Sequence, residues 1–263
     1  MAQKKQLLQL IKTFSLSPYI LYYIFKVIIK MLKIIPNNVE KVSLNYSPNF
    51  DFKKRSKKNI RYLVFHYTGM KSDNSAIKRL TNSKSKVSSH YYISKNGQLI
   101  QLVPDLYTAW HAGKSCWKKD KSINKYSIGI EISNPGHEYG YESFNKKQIN
   151  CLIKISKNLI KKYKIKKENV LGHSDIAPLR KKDPGEKFPW KLLAKNKISI
   201  WHKVSSKKCR NLRDKKFNLN LKYFIKKIAK YGYCTNYSDD YSLKKIIKSF
   251  QRRFRPELIN GKL

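Results

Sequence analysis

Two short runs constrain this chain more than anything else in it. IRYLVFHYT (60–68) and YSIGIEIS (126–133) are apolar stretches rich in β-forming residues. Each reads as a buried strand, which needs a sheet around it and layers to cover it. Between them, SSHYYISKNGQLIQLVP (88–104) places two strand-like runs around Asn96-Gly97, a strong short-range hairpin signal. FNKKQINCLIKISKNLIKKYKI (144–165) carries Ile149, Leu152, Ile153, Ile155, Leu159 and Ile160 as a helical stripe with a lysine-rich outer face. SAIKRLTN reads as a helix of a turn or two, and ENVLGHSD as a short strand running into a loop. Strands and helices therefore alternate, which predicts an α/β fold with a mixed central β-sheet flanked by helices.

The ends differ from this middle. Residues 1–36 begin basic and continue into an apolar run from Phe14 to Phe25, broken afterwards by Lys26, Lys30 and Lys33. That run is shorter than the roughly 20 apolar residues a spanning helix needs, and no small-residue cleavage site follows it. Three readings stand open: a membrane-surface or signal-anchor helix, a mobile extension, or a true start at Met31. Residues 37–202 hold the α/β pattern, and 203–218 form a basic linker. Residues 219–263 carry two helical stripes, Leu221, Phe224, Ile225, Ile228 and Leu243, Ile246, Ile247, Phe250, Phe254. Two short helices bury little alone, so this small helical module must pack on something.

Charge sorts the partners. The chain has 58 Lys and Arg against 16 Asp and Glu, a net charge of +42. Such a surplus attracts polyanions. The lysines are spread over the whole chain, however, and no zinc-finger, RNA-recognition or P-loop spacing accompanies them. No specific nucleic-acid partner is expected. Cys116, Cys151, Cys209 and Cys234 form no CxxC and are too few for a disulfide framework, so free, mostly buried thiols are the default, and whether any pair bridges is not readable.

The chemistry concentrates at strand ends. His66 ends one buried strand and His173 another, with Asp183 ten residues further on in a Pro/Gly-shaped loop. Two imidazoles and a carboxylate make a set able to hold a catalytic zinc with one position left open. Glu131 lies inside an apolar strand, where a carboxylate needs a partner or a task. Lys181, two residues before Asp183, can aim an ammonium at the same place.

These stretches, with YSPNFDFKKR, LVFHYTGM, AWHAGKSCW, SIGIEISNPG and GHSDIAPLRKKDPGEKFPW, resemble the zinc-dependent N-acetylmuramoyl-L-alanine amidases of the type-2 amidase family, whose fold is shared with peptidoglycan recognition proteins. The match runs in order over about residues 46–201. The resemblance implies one catalytic Zn2+ on His66, His173 and Asp183, with Glu131 and Lys181 catalytic. It implies hydrolysis of the amide between N-acetylmuramic acid and L-alanine in peptidoglycan or muropeptides, in cell-wall turnover or recycling. Trp110, His111 and Arg180 are candidate substrate contacts, with His111 alternatively supporting the site from behind. His90 reads as structural, and no role is expected for His137. A non-catalytic wall-recognition protein would lack a ligand, and none is missing here. The C-terminal FIKKIAKYGYCTN and LKKIIKSFQRRFRPELINGKL resemble a small peptidoglycan-binding domain, expected to be shortened. The protein is expected to be a monomer in the bacterial envelope, periplasmic or membrane-associated through 1–36, with a cytoplasmic location as the alternative.

Overall fold

The computed structural model describes residues 43–205, 207, 208, 211, 220–235 and 239–263. The N-terminal extension 1–36 and most of the linker 203–218 lie outside the described residues. Both governing runs become neighbouring strands, β3 (Tyr62–Tyr67) and β9 (Ser127–Ile132), paired in parallel with His66 opposite Glu131. Beside β3 lies β10 (Val170–Gly172), also parallel. Beside β9 lie β4 (Tyr91–Ile93), parallel, then β5 (Leu99–Gln101), antiparallel to β4, and β1 (Ser43–Leu44), parallel to β5. The central sheet is thus six-stranded and mixed, in the order β1-β5-β4-β9-β3-β10. The turn joining β4 to β5 contains Gly97 at φ 84°, closed by Gly97 N–H donating to Ser94 O.

Two small two-stranded sheets complete the strands. One pairs β2 (Phe50–Asp51) with β6 (Thr108–Ala109), and the other pairs β7 (Cys116–Trp117) with β8 (Asp120–Lys121).

Side chains alternate across a strand, so the sheet has two distinct faces. One carries Leu63, Phe65, Ile128, Ile130 and Ile132, all fully buried. The long helix α2 (Lys146–Tyr163) presents the predicted stripe to the interior, burying Ile149, Leu152, Ile155 and Leu159. Its start is fixed by a capping box in which Asn145 accepts from Gln148 N–H and Gln148 accepts from Asn145 N–H. Phe188 and Trp190, the latter opening helix α4 (Trp190–Lys195), stack on Phe65.

The opposite face is mixed. Helix α1 (Asp73–Thr81) lays Ala76 and Leu80 over Tyr92 and Ile100. Further along, Tyr62, Val64 and Leu171 join a second cluster with Trp117, Ile123, Ile228, Tyr233 and Ile246. The last three belong to the C-terminal segment, helices α5 (Leu221–Tyr231) and α6 (Asp240–Phe254) and the turn between them. This segment therefore shares the core of the α/β domain; one compact unit spans Lys41–Leu263.

Cys116 and Cys234 form a disulfide across a sequence separation of 118, with Cα atoms 6.2 Å apart. This departs from the default of free thiols at two positions whose pairing the sequence left open. Nothing local marks the pair; Trp117 packing on the turn brings them together. A Cβ on Gly232 would lie 2.4 Å from the Trp117 ring, so only glycine allows that approach. Cys151 is free, and Cys209 lies outside the described residues. No helix among the described residues is long and apolar enough to cross a membrane.

Candidate active site

The mixed face of the sheet holds the site. Its inward positions on β9 are Ser127, Gly129 and Glu131, a small, polar series between apolar neighbours. On β3 the same face carries Tyr62, Val64 and His66. Gly129 leaves room for an imidazole: a Cβ there would lie 2.5 Å from His111 Cγ. The His111 ring fills this space, its Nδ1 3.0 Å from His66 Nε2 and its Nε2 3.1 Å from Ser127 Oγ.

His173 opens a one-turn helix α3 (His173–Ile176) directly after β10. Asp183 returns on the loop that follows, tied by Ser174 N–H donating to Asp183 O at 2.8 Å. His66 Nδ1, His173 Nδ1 and Asp183 Oδ2 then meet, at pairwise separations of 2.9, 3.0 and 3.1 Å. All three residues are buried. Among the described residues this is the cluster of metal-ligating side chains able to hold an ion.

The tautomers support that reading. His173 Nε2 is 3.1 Å from Ala112 O, which can only accept, so Nε2 carries the proton and Nδ1 turns a lone pair inward. His66 Nε2 has His111 as its outer partner, which leaves its Nδ1 free to do the same. Burial, then the neighbouring His173, lowers the His66 pKa to about 4, so the ring is neutral at pH 7. Three lone pairs facing one another repel unless a cation lies among them. The donor set of two imidazole nitrogens and one carboxylate oxygen suits such an ion.

Glu131 stands beside the triad, in register with His66. Its Oε2 has no hydrogen-bond partner among the described residues. Burial, and secondarily the Asp183 charge, push its pKa well above the carboxylate range, while the Lys181 ammonium pulls the other way. Lys181 is partly buried, and its charge also acts on His66. It is fixed by its backbone N–H, which donates to Ala177 O.

The three candidate substrate contacts are each held by protein groups. His111 is buried, and both of its nitrogens face protein groups, which leaves it behind His66 rather than in the cleft. The Arg180 guanidinium donates to the carbonyls of Ala112 and Lys114, bracing the 112–114 loop that also receives His173. Trp110 is half-buried and donates from Nε1 to Asp51 Oδ1 at 2.8 Å. His90 is fully buried, accepts from Gly129 N–H and lies 2.8 Å from an Arg55 nitrogen.

Sequence reasoning passed over one cluster at the site's edge. His137 Nδ1 is 2.8 Å from the Tyr67 hydroxyl, Nε2 is 3.1 Å from Glu186, and the ring stacks on Tyr141. The signal was indirect: Tyr67 follows His66 on β3, and Glu186 follows Asp183 by three.

An ion-ready triad with an unpaired carboxylate beside it, set on one face of a mixed sheet, defines a hydrolytic enzyme. The chain belongs to the N-acetylmuramoyl-L-alanine amidase family and is a hydrolase of that amide bond; residues 56–186 match the family directly. It is 37% identical over 218 residues to the N-acetylmuramoyl-L-alanine amidase AmiD of Escherichia coli K12, covering 77% of each chain. It is 38% identical over 102 residues to the 1,6-anhydro-N-acetylmuramyl-L-alanine amidase AmpD of Enterobacter cloacae, covering 37% of this chain and 50% of that one. Among solved structures, E. coli AmiD in complex with anhydro-N-acetylmuramic acid-L-Ala-D-γ-Glu-L-Lys superposes with a TM-score of 0.68 at 34% identity, over 81% of this chain and 86% of the other. AmpDh3 of Pseudomonas aeruginosa superposes with a TM-score of 0.69 at 30% identity, over 87% and 92%.

Proposed function

We propose that the enzyme holds one catalytic Zn2+ on His66, His173 and Asp183 and cleaves the lactyl–L-alanine amide of peptidoglycan fragments, anhydro-muropeptides included. The observation that carries this is the convergence of three buried ligand atoms within about 3 Å of one another. Bound there, zinc acts as a Lewis acid toward the scissile carbonyl and acidifies water. The protein's own groups do the rest. Glu131 has an uncommitted carboxylate oxygen facing the site, so it takes the proton of the attacking water and later delivers it to the leaving amine nitrogen. Lys181 presents its ammonium to the carbonyl oxygen as negative charge develops there. His111 fixes the orientation of His66, and Arg180 supports the loop that receives His173.

The muropeptide assignment rests on the similarity to AmiD, whose solved complex contains an anhydro-muropeptide. We place the enzyme in the cell envelope. The Cys116–Cys234 bridge supports this, because disulfides persist in oxidising compartments.

Purified murein and a soluble anhydro-muropeptide, each digested with and without chelator and read by mass spectrometry, test the assignment. Release of stem peptides beginning with free L-alanine, lost with chelator, restored by Zn2+ and lost in Glu131→Ala, is the expected result. Cleavage indifferent to chelator would refute the zinc assignment.

A further inference from the structure

The metal ligand His173 is gripped by the C-terminal helical segment. Helix α6 buries Ser242, Ile246, Ser249 and Arg253 on one side, spaced as a single helical stripe. Two of these reach the 170–175 segment that carries His173. Ser249 Oγ donates to Ser174 O at 2.6 Å. Arg253 donates from Nη1 to Asp175 Oδ2 at 2.5 Å and from Nη2 to Val170 O at 3.0 Å. Its guanidinium lies over the Trp190 ring at 4.0 Å, closing that side against water. Asp175 gathers the contacts. Its Oδ2 also accepts from Gly172 N–H at 2.8 Å, and its Oδ1 accepts from the Tyr233 hydroxyl at 2.5 Å. Tyr233 adjoins Cys234, whose disulfide anchors the α5–α6 turn to β7. Arg253 and Asp175 are only 2% and 1% exposed, so this ion pair is sealed inside the protein.

His173 thus has a partner from α6 on either side of it in sequence, at Val170 and at Ser174–Asp175. Its own Nε2 is spent on Ala112 O, so backbone position is what remains to aim Nδ1. A buried pair adds little net stability over well-packed apolar groups but imposes one geometry.

We propose that the α5–α6 segment is a positioning element of the metal centre, in which Arg253, acting through Asp175, sets the position of His173. This rests on the reading of His66, His173 and Asp183 as metal ligands. It differs from a wall-binding role for the same segment, because it predicts effects on the ion rather than on substrate affinity.

The test uses the full chain, stripped of metal. Zn2+ affinity is measured by competition with a chromophoric chelator, and Co2+ binding by visible absorption. Arg253→Met and Asp175→Asn are expected to weaken Zn2+ binding about ten-fold or more, as loss of groups supporting metal ligands does, and to alter the Co2+ bands. On a muropeptide, kcat should fall while KM holds. Arg253→Lys, which keeps the charge and a donor, should recover part of the affinity. Tyr233→Phe removes one bond to Asp175 and keeps the ring, so it reports in the same direction even where Arg253→Met does not fold. Wild-type Zn2+ affinity and Co2+ bands in every folded variant, with only a lower melting temperature, would overturn the proposal. So would a rise in KM alone. If the wild type itself takes up no stoichiometric ion and His173→Ala matches it, the metal-site reading fails, and the clamp fails with it.

Discussion

At the scale of single residues, the site depends on what is small as much as on what is reactive. Gly129 is the clearest case, since His111 occupies the space of its missing side chain. Gly129→Ala is expected to cost about 1–3 kcal/mol by overpacking and to lower Zn2+ affinity by displacing the ring behind His66. Denaturant unfolding read beside a metal titration checks both. Glu131→Gln should keep the fold and the ion while kcat falls by about 10²–10⁴; a variant that also lost its ion would give Glu131 a ligand's role instead. The set His66, His173 and Asp183, which the structure brings together, was legible in the sequence because its chemistry is rare and the Asp183 loop is punctuated by Pro and Gly. For His111 the sequence left two roles open, substrate contact or support behind the site. Its neighbour Trp110 suggested a cleft, and only the β9 glycine, two strands of sequence away, explains why the histidine turns inward. Asp175 carried no signal of its own in the sequence, because its partners Tyr233 and Arg253 lie 58 and 78 positions further on.

Single elements were readable in proportion to their periodicity. The α2 stripe and the β3 and β9 runs stood out because burial repeats along them. β1, β2, β6, β7 and β8 are two residues each and exist only through distant pairing, so no local pattern announces them. The capping box of α2 makes a simple prediction: Asn145→Ala should cost about 1 kcal/mol, seen as a lower denaturation midpoint with unchanged activity. The end of α2 makes another. Asp105 accepts from Lys162 Nζ, the Tyr163 hydroxyl and the Tyr91 hydroxyl. Burial would raise its pKa, yet the Lys162 charge and these bonds win and lower it. Its contribution to stability is therefore present above the unfolded-state pKa of about 4 and disappears as pH falls through the lower folded value. Denaturant unfolding from pH 6 down to pH 2 should show this acid loss, and Asp105→Asn should flatten it.

For the whole molecule, the closing bond is the disulfide. It ties β7 to the α5–α6 turn across 118 residues. A loop of that length gives a chain-entropy effect of about 4–5 kcal/mol, so reduction or Cys234→Ser should lower the melting temperature sharply. An unchanged melting temperature after verified reduction would deny the bridge that role. The net charge of +42 makes a second expectation at this scale. Association with intact, anionic wall material should weaken as salt rises, while cleavage of a small soluble muropeptide changes little. The order of synthesis adds a consequence of the Asp175–Arg253 contact. The arginine joins the growing chain 78 positions after the aspartate, long after every ligand has been made. Until then that carboxylate lacks the Arg253 guanidinium, and the segment carrying His173 lacks its contacts from the last helix. A nascent chain, or one clipped ahead of its last helix, would carry His66, Glu131, His173, Lys181 and Asp183 yet lack the α6 contacts to the 170–175 segment.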